Sequence, residues 1–152
     1  MVSANTLTRA SAYLFAHVLI FPGNSQWELL NTSFISGRYT NAPPIGWDNL
    51  DKSLPNDVIS IQSKGKFIYF NLNNGTIWNT LGLTGGWRFQ STGKHNRSVF
   101  LLKNKKSNQL EKLYFYDQRN FGTLKYTVYN DEIKKKLTTL GTQPPTLSYS
   151  SN

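Results

Sequence analysis

A mostly β domain, a two-layered β-sandwich of about eight strands flanked by an N-terminal and a C-terminal α-helix, is the fold class that this sequence predicts. Three observations carry the prediction. From Trp27 onward apolar and polar residues alternate in short runs, the period of a half-buried strand. Clusters of Gly, Asn and Pro separate the runs. Helix signals are confined to the two ends, before Trp27 and after Asn130.

Taken in order, Thr6 to Leu19 places Leu7, Leu14 and Val18 on one helical face, and Pro22-Gly23 supplies the stop. A second reading of this region is an export signal, since Arg9 precedes the apolar run that ends at Phe21. His17 interrupts that run, its Ala10-Ser11-Ala12 stands at the start where cleavage would be useless, and it is too short to cross a bilayer, so the amphipathic helix is expected. Glu28 to Ile35 reads as a strand, and Gly37 to Trp47, rich in Gly, Pro and Asn, reads as a loop.

Val58 to Ser63 and Lys66 to Leu72 follow as strands, the second setting Phe67, Tyr69 and Asn71 opposite Ile68, Phe70 and Leu72. Asn73-Asn74-Gly75 is a hairpin turn whose residues accept positive φ at little cost, and Thr76 to Thr80 returns. Gly86 to Gln90, Ser98 to Lys103, Lys112 to Asp117 and Thr123 to Val128 complete the strands, with Asn104 to Gln109 a polar hairpin loop. Asn130 then caps a helix from Asp131 to Leu140, with acidic residues on its first turn, lysines later and Gly141 to close it. Its Lys134, Lys135 and Lys136 read as a solvated face. Residues 1–141 thus form one domain, and 142–152 a linker-like tail.

With 152 residues the chain is long enough to bury a core without metals or disulfides. It has no cysteine, which excludes a disulfide scaffold, a cysteine nucleophile and a Cys-ligated zinc site, and His17 and His95 cannot complete a metal site alone. No metal and no cofactor are expected. The formal charge is +9, spread over strands and loops instead of one tail, which fits a polyanion partner rather than a membrane. Basic residues are also interleaved with aromatics, as in Lys64, Lys66, Phe67, Tyr69 and in Trp87, Arg88, Phe89, a pattern suited to phosphate contacts beside stacking surfaces.

Several segments in order then sharpen the reading: Phe34-Ile35-Ser36-Gly37-Arg38-Tyr39, Lys64-Gly65-Lys66-Phe67, Ile77-Trp78-Asn79-Thr80-Leu81-Gly82-Leu83-Thr84-Gly85, Asp117-Gln118-Arg119-Asn120-Phe121-Gly122 and Leu137-Thr138-Thr139-Leu140-Gly141. Together they resemble the N-terminal catalytic domain of the formamidopyrimidine-DNA glycosylase/endonuclease VIII family, most closely its viral endonuclease VIII-like members, over roughly Leu7 to Pro144. The resemblance implies a two-layered β-sandwich between two helices, and base-excision-repair chemistry, DNA glycosylase and AP lyase, on damaged or abasic DNA. It implies an intracellular location at a site of DNA replication or repair.

By the same resemblance Leu83, Arg119 and Phe121 fill the void left by a flipped-out nucleotide, while Lys66 stands beside the target phosphate and counts with the catalytic residues. The nucleophile is the amine of Val2 after removal of Met1. Ser3, Ala4 and Asn5 stand where the family carries a glutamate acid/base, and the first carboxylate in the chain is Glu28. The family's helix-two-turn-helix and finger domains have no counterpart in the sequence, so a separate chain supplying the helical domain is an expected partner. A damaged-DNA-binding relic or accessory protein without catalysis is the alternative expectation, and a secreted basic β-sandwich a remote third.

Overall fold

Alternation along the strands sorts the side chains into a large core between two sheet layers and a smaller aromatic cluster behind one of them. The protein is represented by a computed structural model that describes residues 27–91, 93–128, 135, 136, 138 and 139. Its strands are β1 (Trp27–Phe34), β2 (Asn56–Lys64), β3 (Phe67–Leu72), β4 (Thr76–Thr80), β5 (Gly86–Arg88), β6 (Asn96–Asn104), β7 (Leu110–Tyr116) and β8 (Thr123–Thr127), and the α-helix described from end to end is α1 (Trp47–Ser53). The strands hydrogen-bond in the order β5-β7-β6-β1-β2-β3-β4-β8, every pair antiparallel.

This single sheet folds over on itself. β1 and β2 pair only through Trp27 to Leu29, so the ladder is short where the two layers diverge. At the far end of the order, Trp87 on β5 returns to the other layer, with its ring 5.0 Å from Phe70 on β3 and its indole N–H donating to Asn79 on β4 at 2.8 Å. Phe100 on β6 and Phe115 on β7 close around the same indole at 4.9 and 5.0 Å. The expected eight-stranded, two-layered architecture is therefore present.

The alternation expected for β3 also holds. Ile68, Phe70 and Leu72 enter the main core, while Phe67 and Tyr69 form the second cluster with Trp78. Asn71, on that second face, is buried and donates to Ser60 at 3.0 Å.

Three expectations change. The loop read over Gly37 to Trp47 is present and contains a short 3-10 turn at Arg38–Thr40, but at its last residue begins α1, a helix the sequence did not predict, which buries Trp47 and Leu50 against the sheet. Trp47 packs on Phe34 and Phe100, and its indole donates to Thr32 at 3.0 Å. The helix begins at Gly46, which lies in the left-handed region with no side-chain cap.

The Asn73-Asn74-Gly75 hairpin forms, yet none of its residues adopts positive φ. Gly75 is required for another reason: a Cβ there would collide with the Thr127 carbonyl and meet the Tyr126 hydroxyl at 2.5 Å. Finally, Phe67, Tyr69, Trp87 and Phe89 are buried, so the aromatics interleaved with lysine and arginine are core residues and offer no stacking surface. Strand alternation turns the cations outward and the rings inward.

The N-terminal helix expected over Thr6 to Leu19 lies outside the described residues, as do residues 142–152. Of the C-terminal helix, the four described residues 135, 136, 138 and 139 are helical.

Candidate functional site

Three strand ends meet in one row. Phe67 opens β3 opposite Thr80, the last residue of β4, and Thr80 in turn faces Thr123, the first residue of β8. Lys66 immediately precedes this row, Leu83 follows it in the β4–β5 loop, and Arg119 and Phe121 approach it in the β7–β8 loop. The Leu81 amide donates to the Lys66 carbonyl at 2.8 Å, tying the first two segments together. Sheet register thus gathers residues that lie more than fifty positions apart.

The β2–β3 turn that carries Lys66 has two residues, Gly65 with φ 59° and then Lys66. Positive φ at the first central position and not at the second is the mark of a type II′ hairpin, whose first position only glycine enters without strain.

The β7–β8 loop is built around a buried carboxylate. Asp117, 1% exposed, accepts the Gly122 amide on Oδ2 at 2.6 Å, while Oδ1 lies 3.5 Å from the Thr84 hydroxyl of the β4–β5 loop. Its own carbonyl accepts from the Asn120 amide and from Arg97 Nε at 2.9 Å. Arg97 also donates to the Gln118 carbonyl and to Ser36 Oγ, so one guanidinium fastens the loop to β6 and to the segment after β1. Asn120 is held at φ 58°. At Gly82 an added Cβ would sit 3.3 Å from the Phe121 Cβ, which shows how closely the two loops approach.

Leu83 and Phe121 project outward from this frame, at 72% and 64% exposure. Arg119 is exposed and has no ion pair or hydrogen bond with any described residue. Leu83 and Phe121 are therefore not core residues, and Arg119 does not pair with Asp117. Both Asp117 oxygens are directed at Gly122 and Thr84 instead.

Charge is distributed to match. Asp117 is the one described carboxylate near these loops, and it is buried. Glu28 and Asp57 lie toward the opposite end, where they pair with Lys103 and Lys105 at 3.5 and 2.8 Å. Asp48 and Asp51 belong to α1, and Glu111 to the start of β7. Lys64, Lys66, Lys94, Arg97 and Arg119 thus surround the loop end without exposed acid among the described residues.

Next to Lys66 lies a shallow hollow of about 240 Å³ lined by Lys64, Gly65, Lys66, Phe67, Thr80 and Lys136. Lys136 Nζ stands 5.6 Å from the centre of the Phe67 ring. The sequence predicts Lys134, Lys135 and Lys136 on a solvated helix face; of the two described, Lys135 is exposed and Lys136 is half-buried. Neither Lys136 nor Arg97 carries a local signal, because each acts on residues distant in the chain. Val2 lies outside the described residues.

The class of protein that these elements define is a two-layered β domain with cations and apolar tips on the loops at one end. This chain belongs to the formamidopyrimidine-DNA glycosylase N-terminal domain family, whose profile matches residues 30–124 and so includes Lys66, Leu83, Arg119 and Phe121. Among curated relatives, formamidopyrimidine-DNA glycosylase of Listeria monocytogenes is 28% identical over 100 residues, which is 62% of this chain and 35% of the relative. That of Listeria innocua is 29% identical over 98 residues, 61% of this chain and 34% of the relative. The matched region is thus about a third of the length of these relatives.

Solved structures share the fold. The Lactococcus lactis glycosylase bound to DNA containing an AP site is 16% identical with a TM-score of 0.60, covering 91% of this chain and 48% of that one. MutM in complex with DNA containing carbocyclic 8-oxo-G is 16% identical with a TM-score of 0.61, covering 91% of this chain and 47% of that one.

Proposed function

We propose that this chain is a base-excision-repair domain of DNA glycosylase and AP lyase type, acting on damaged bases or abasic sites in DNA. The observation that carries the reading is the pair of exposed apolar tips, Leu83 and Phe121, on two loops joined through Asp117, with the exposed guanidinium of Arg119, which has no partner among the described residues, beside them. Extruding a nucleotide leaves an apolar slot in the stack and an orphaned partner base, at a cost of a few kcal/mol. Two apolar side chains fill such a slot, and a guanidinium offers hydrogen bonds to the orphan. Lys66, at the same sheet end, neutralises a backbone phosphate.

Relatives seen with AP-site and 8-oxo-G DNA support the choice of ligand. Within the family, the motifs around Lys64, Leu83 and Arg119 support a reading of the chain as most similar to the viral endonuclease VIII-like branch. A helical domain, on this or a separate polypeptide, grips the far side of the DNA.

For the chemistry, Val2 as mature N-terminal residue supplies an α-amine, whose ordinary pKa near 8 leaves a neutral fraction at physiological pH. The amine forms a bond to the sugar C1′ as the damaged base leaves with the electrons of the glycosidic bond. The nitrogen then gives up a proton and its lone pair forms the C=N bond as C1′–O4′ breaks and O4′ takes up a proton; the resulting iminium acidifies the adjacent C2′, whose proton is lost as the 3′ phosphate departs. Ser3 in place of the family's glutamate favours a second reading, a damaged-DNA binder without turnover, because a hydroxyl cannot shuttle protons near neutral pH as a carboxylate does.

Borohydride trapping on duplex DNA carrying an abasic site separates the two. A covalent adduct that disappears on N-terminal acetylation establishes the amine chemistry. Selective binding without adduct establishes the second reading, and equal affinity for intact DNA without adduct removes both.

A further inference from the structure

We infer that Lys64, Lys66 and Lys136 form one phosphate-binding pocket, so that the chain grips a DNA phosphate with three ammonium groups at the β2–β3 turn. This deepens the proposed function and rests on it for the identity of the nucleic acid, while adding Lys64 and Lys136 to the contact surface.

The three lysines line one hollow, with Gly65 and Thr80 forming its wall. No described carboxylate lies there, and none of the three makes an ion pair with a described residue. Three lysines around one hollow with no described carboxylate make it electropositive, and an anion seated there is attracted to each of them. Lys136 is also fixed in place. Its ammonium lies over the ring of Phe67, itself 3% exposed, which limits the positions that this long side chain samples. A Cβ at Gly65 would meet nothing within 4 Å, so the mouth is open beside the lysines. A phosphate group, carried by an internal phosphodiester or by the terminal monoester of a nicked strand, has the charge and acceptor oxygens that such a pocket takes.

The test uses the full chain and fluorescent duplexes with an abasic-site analogue, titrated with salt. Each duplex-phosphate contact adds about 0.9 to the slope of log K against log salt. Lys136→Gln is therefore expected to lower that slope by about 0.9 and to weaken binding roughly eightfold at 0.1 M salt, equally on damaged and intact duplex. Phe67→Leu, which keeps the apolar bulk and loses the ring, is expected to give part of the same loss.

An unchanged slope in Lys136→Gln overturns the pocket. Loss of lesion preference in the parent, with the Lys136→Gln slope change intact, overturns the function and spares the pocket. Nicked duplexes ending in phosphate or hydroxyl identify the source: tighter binding of the phosphate end assigns a monoester, and equal binding assigns an internal phosphodiester. Inorganic phosphate provides an arm without DNA. It is expected to raise the melting temperature of the parent more than that of Lys64→Gln/Lys136→Gln at matched ionic strength, and equal shifts in the two overturn the proposal.

Discussion

Asp117 Oδ2 accepts the backbone amide of Gly122 at 2.6 Å, so a buried carboxylate closes the loop that presents Arg119 and Phe121. Sheet geometry explains why the loop needs it. The chain leaves β7 at Tyr116 in one layer and enters β8 at Thr123 in the other, and the short crossing leaves amides with no strand to pair with. Asp117 satisfies one of them, its own carbonyl satisfies Asn120, and Arg97 fastens the outside. Asp117→Ala leaves the Gly122 amide buried without an acceptor and is expected to destabilise the fold by about 2–3 kcal/mol, read by urea unfolding. Asp117→Asn retains an acceptor oxygen and is expected to lose less. Parent-like stability in the alanine variant would falsify this account of the loop.

Leu83→Ala, Arg119→Ala and Phe121→Ala are expected to behave differently. Their side chains are exposed, so unfolding free energies should stay within about 0.5 kcal/mol of the parent. Preference for an abasic duplex over an intact one should fall about tenfold for Phe121→Ala, the scale of one lost base–aromatic contact. Fluorescence anisotropy on paired duplexes measures that ratio. Uniform weakening on both duplexes would reassign these residues to general DNA attraction.

Much of the fold was legible because a strand's alternation is local: β3 could be split into two faces from six residues, and the structure keeps that split. The helix α1 was not legible. It has seven residues, follows a stretch of Pro and Gly, and starts at a left-handed Gly46 that offers no Ser, Thr, Asp or Asn signature of a cap. Gly75 was read through its backbone freedom, whereas the close approach of β8 is what excludes a side chain there. At the site, the exposed tips Leu83, Arg119 and Phe121 came from recognising ordered motifs. Arg97, which holds Asp117 and Gln118 from the neighbouring strand β6, and Lys136, which rests on Phe67, depend on contacts between residues far apart in the chain.

Asn79 joins the two layers just beneath the site. It is fully buried, accepts from the Trp87 indole at 2.8 Å and donates to the Thr123 carbonyl at 3.0 Å. Asn79→Ala leaves the buried Trp87 indole N–H without an acceptor and takes a donor from the Thr123 carbonyl at the layer's edge, and is expected to cost about 2–4 kcal/mol. Paired with Trp87→Phe, which removes the indole N–H, it should show a coupling of about 1 kcal/mol in a double-mutant cycle. Strict additivity of the two changes would mean that the hydrogen bond contributes nothing to joining the layers.

Tyr126 sets an alkaline limit on the domain. Burial pushes its phenol above the usual tyrosine range, and Ser53 pulls only part of the way back. The hydroxyl is buried without a well-formed hydrogen bond. A raised native pKa means that the folded state holds the proton more tightly than the unfolded chain does. The stability this contributes is complete below the unfolded value near 10 and is lost as pH rises from there through the native pKa. Tyr126→Phe is therefore expected to match or slightly exceed the parent at pH 7, since it removes a buried hydroxyl with no well-formed hydrogen bond. Above pH 10 it should lose less stability than the parent as pH rises. Urea unfolding at pH 7, 9, 10 and 11 reads both effects. Parallel pH profiles for the two proteins would show that Tyr126 ionises as freely in the native sandwich as in the unfolded chain.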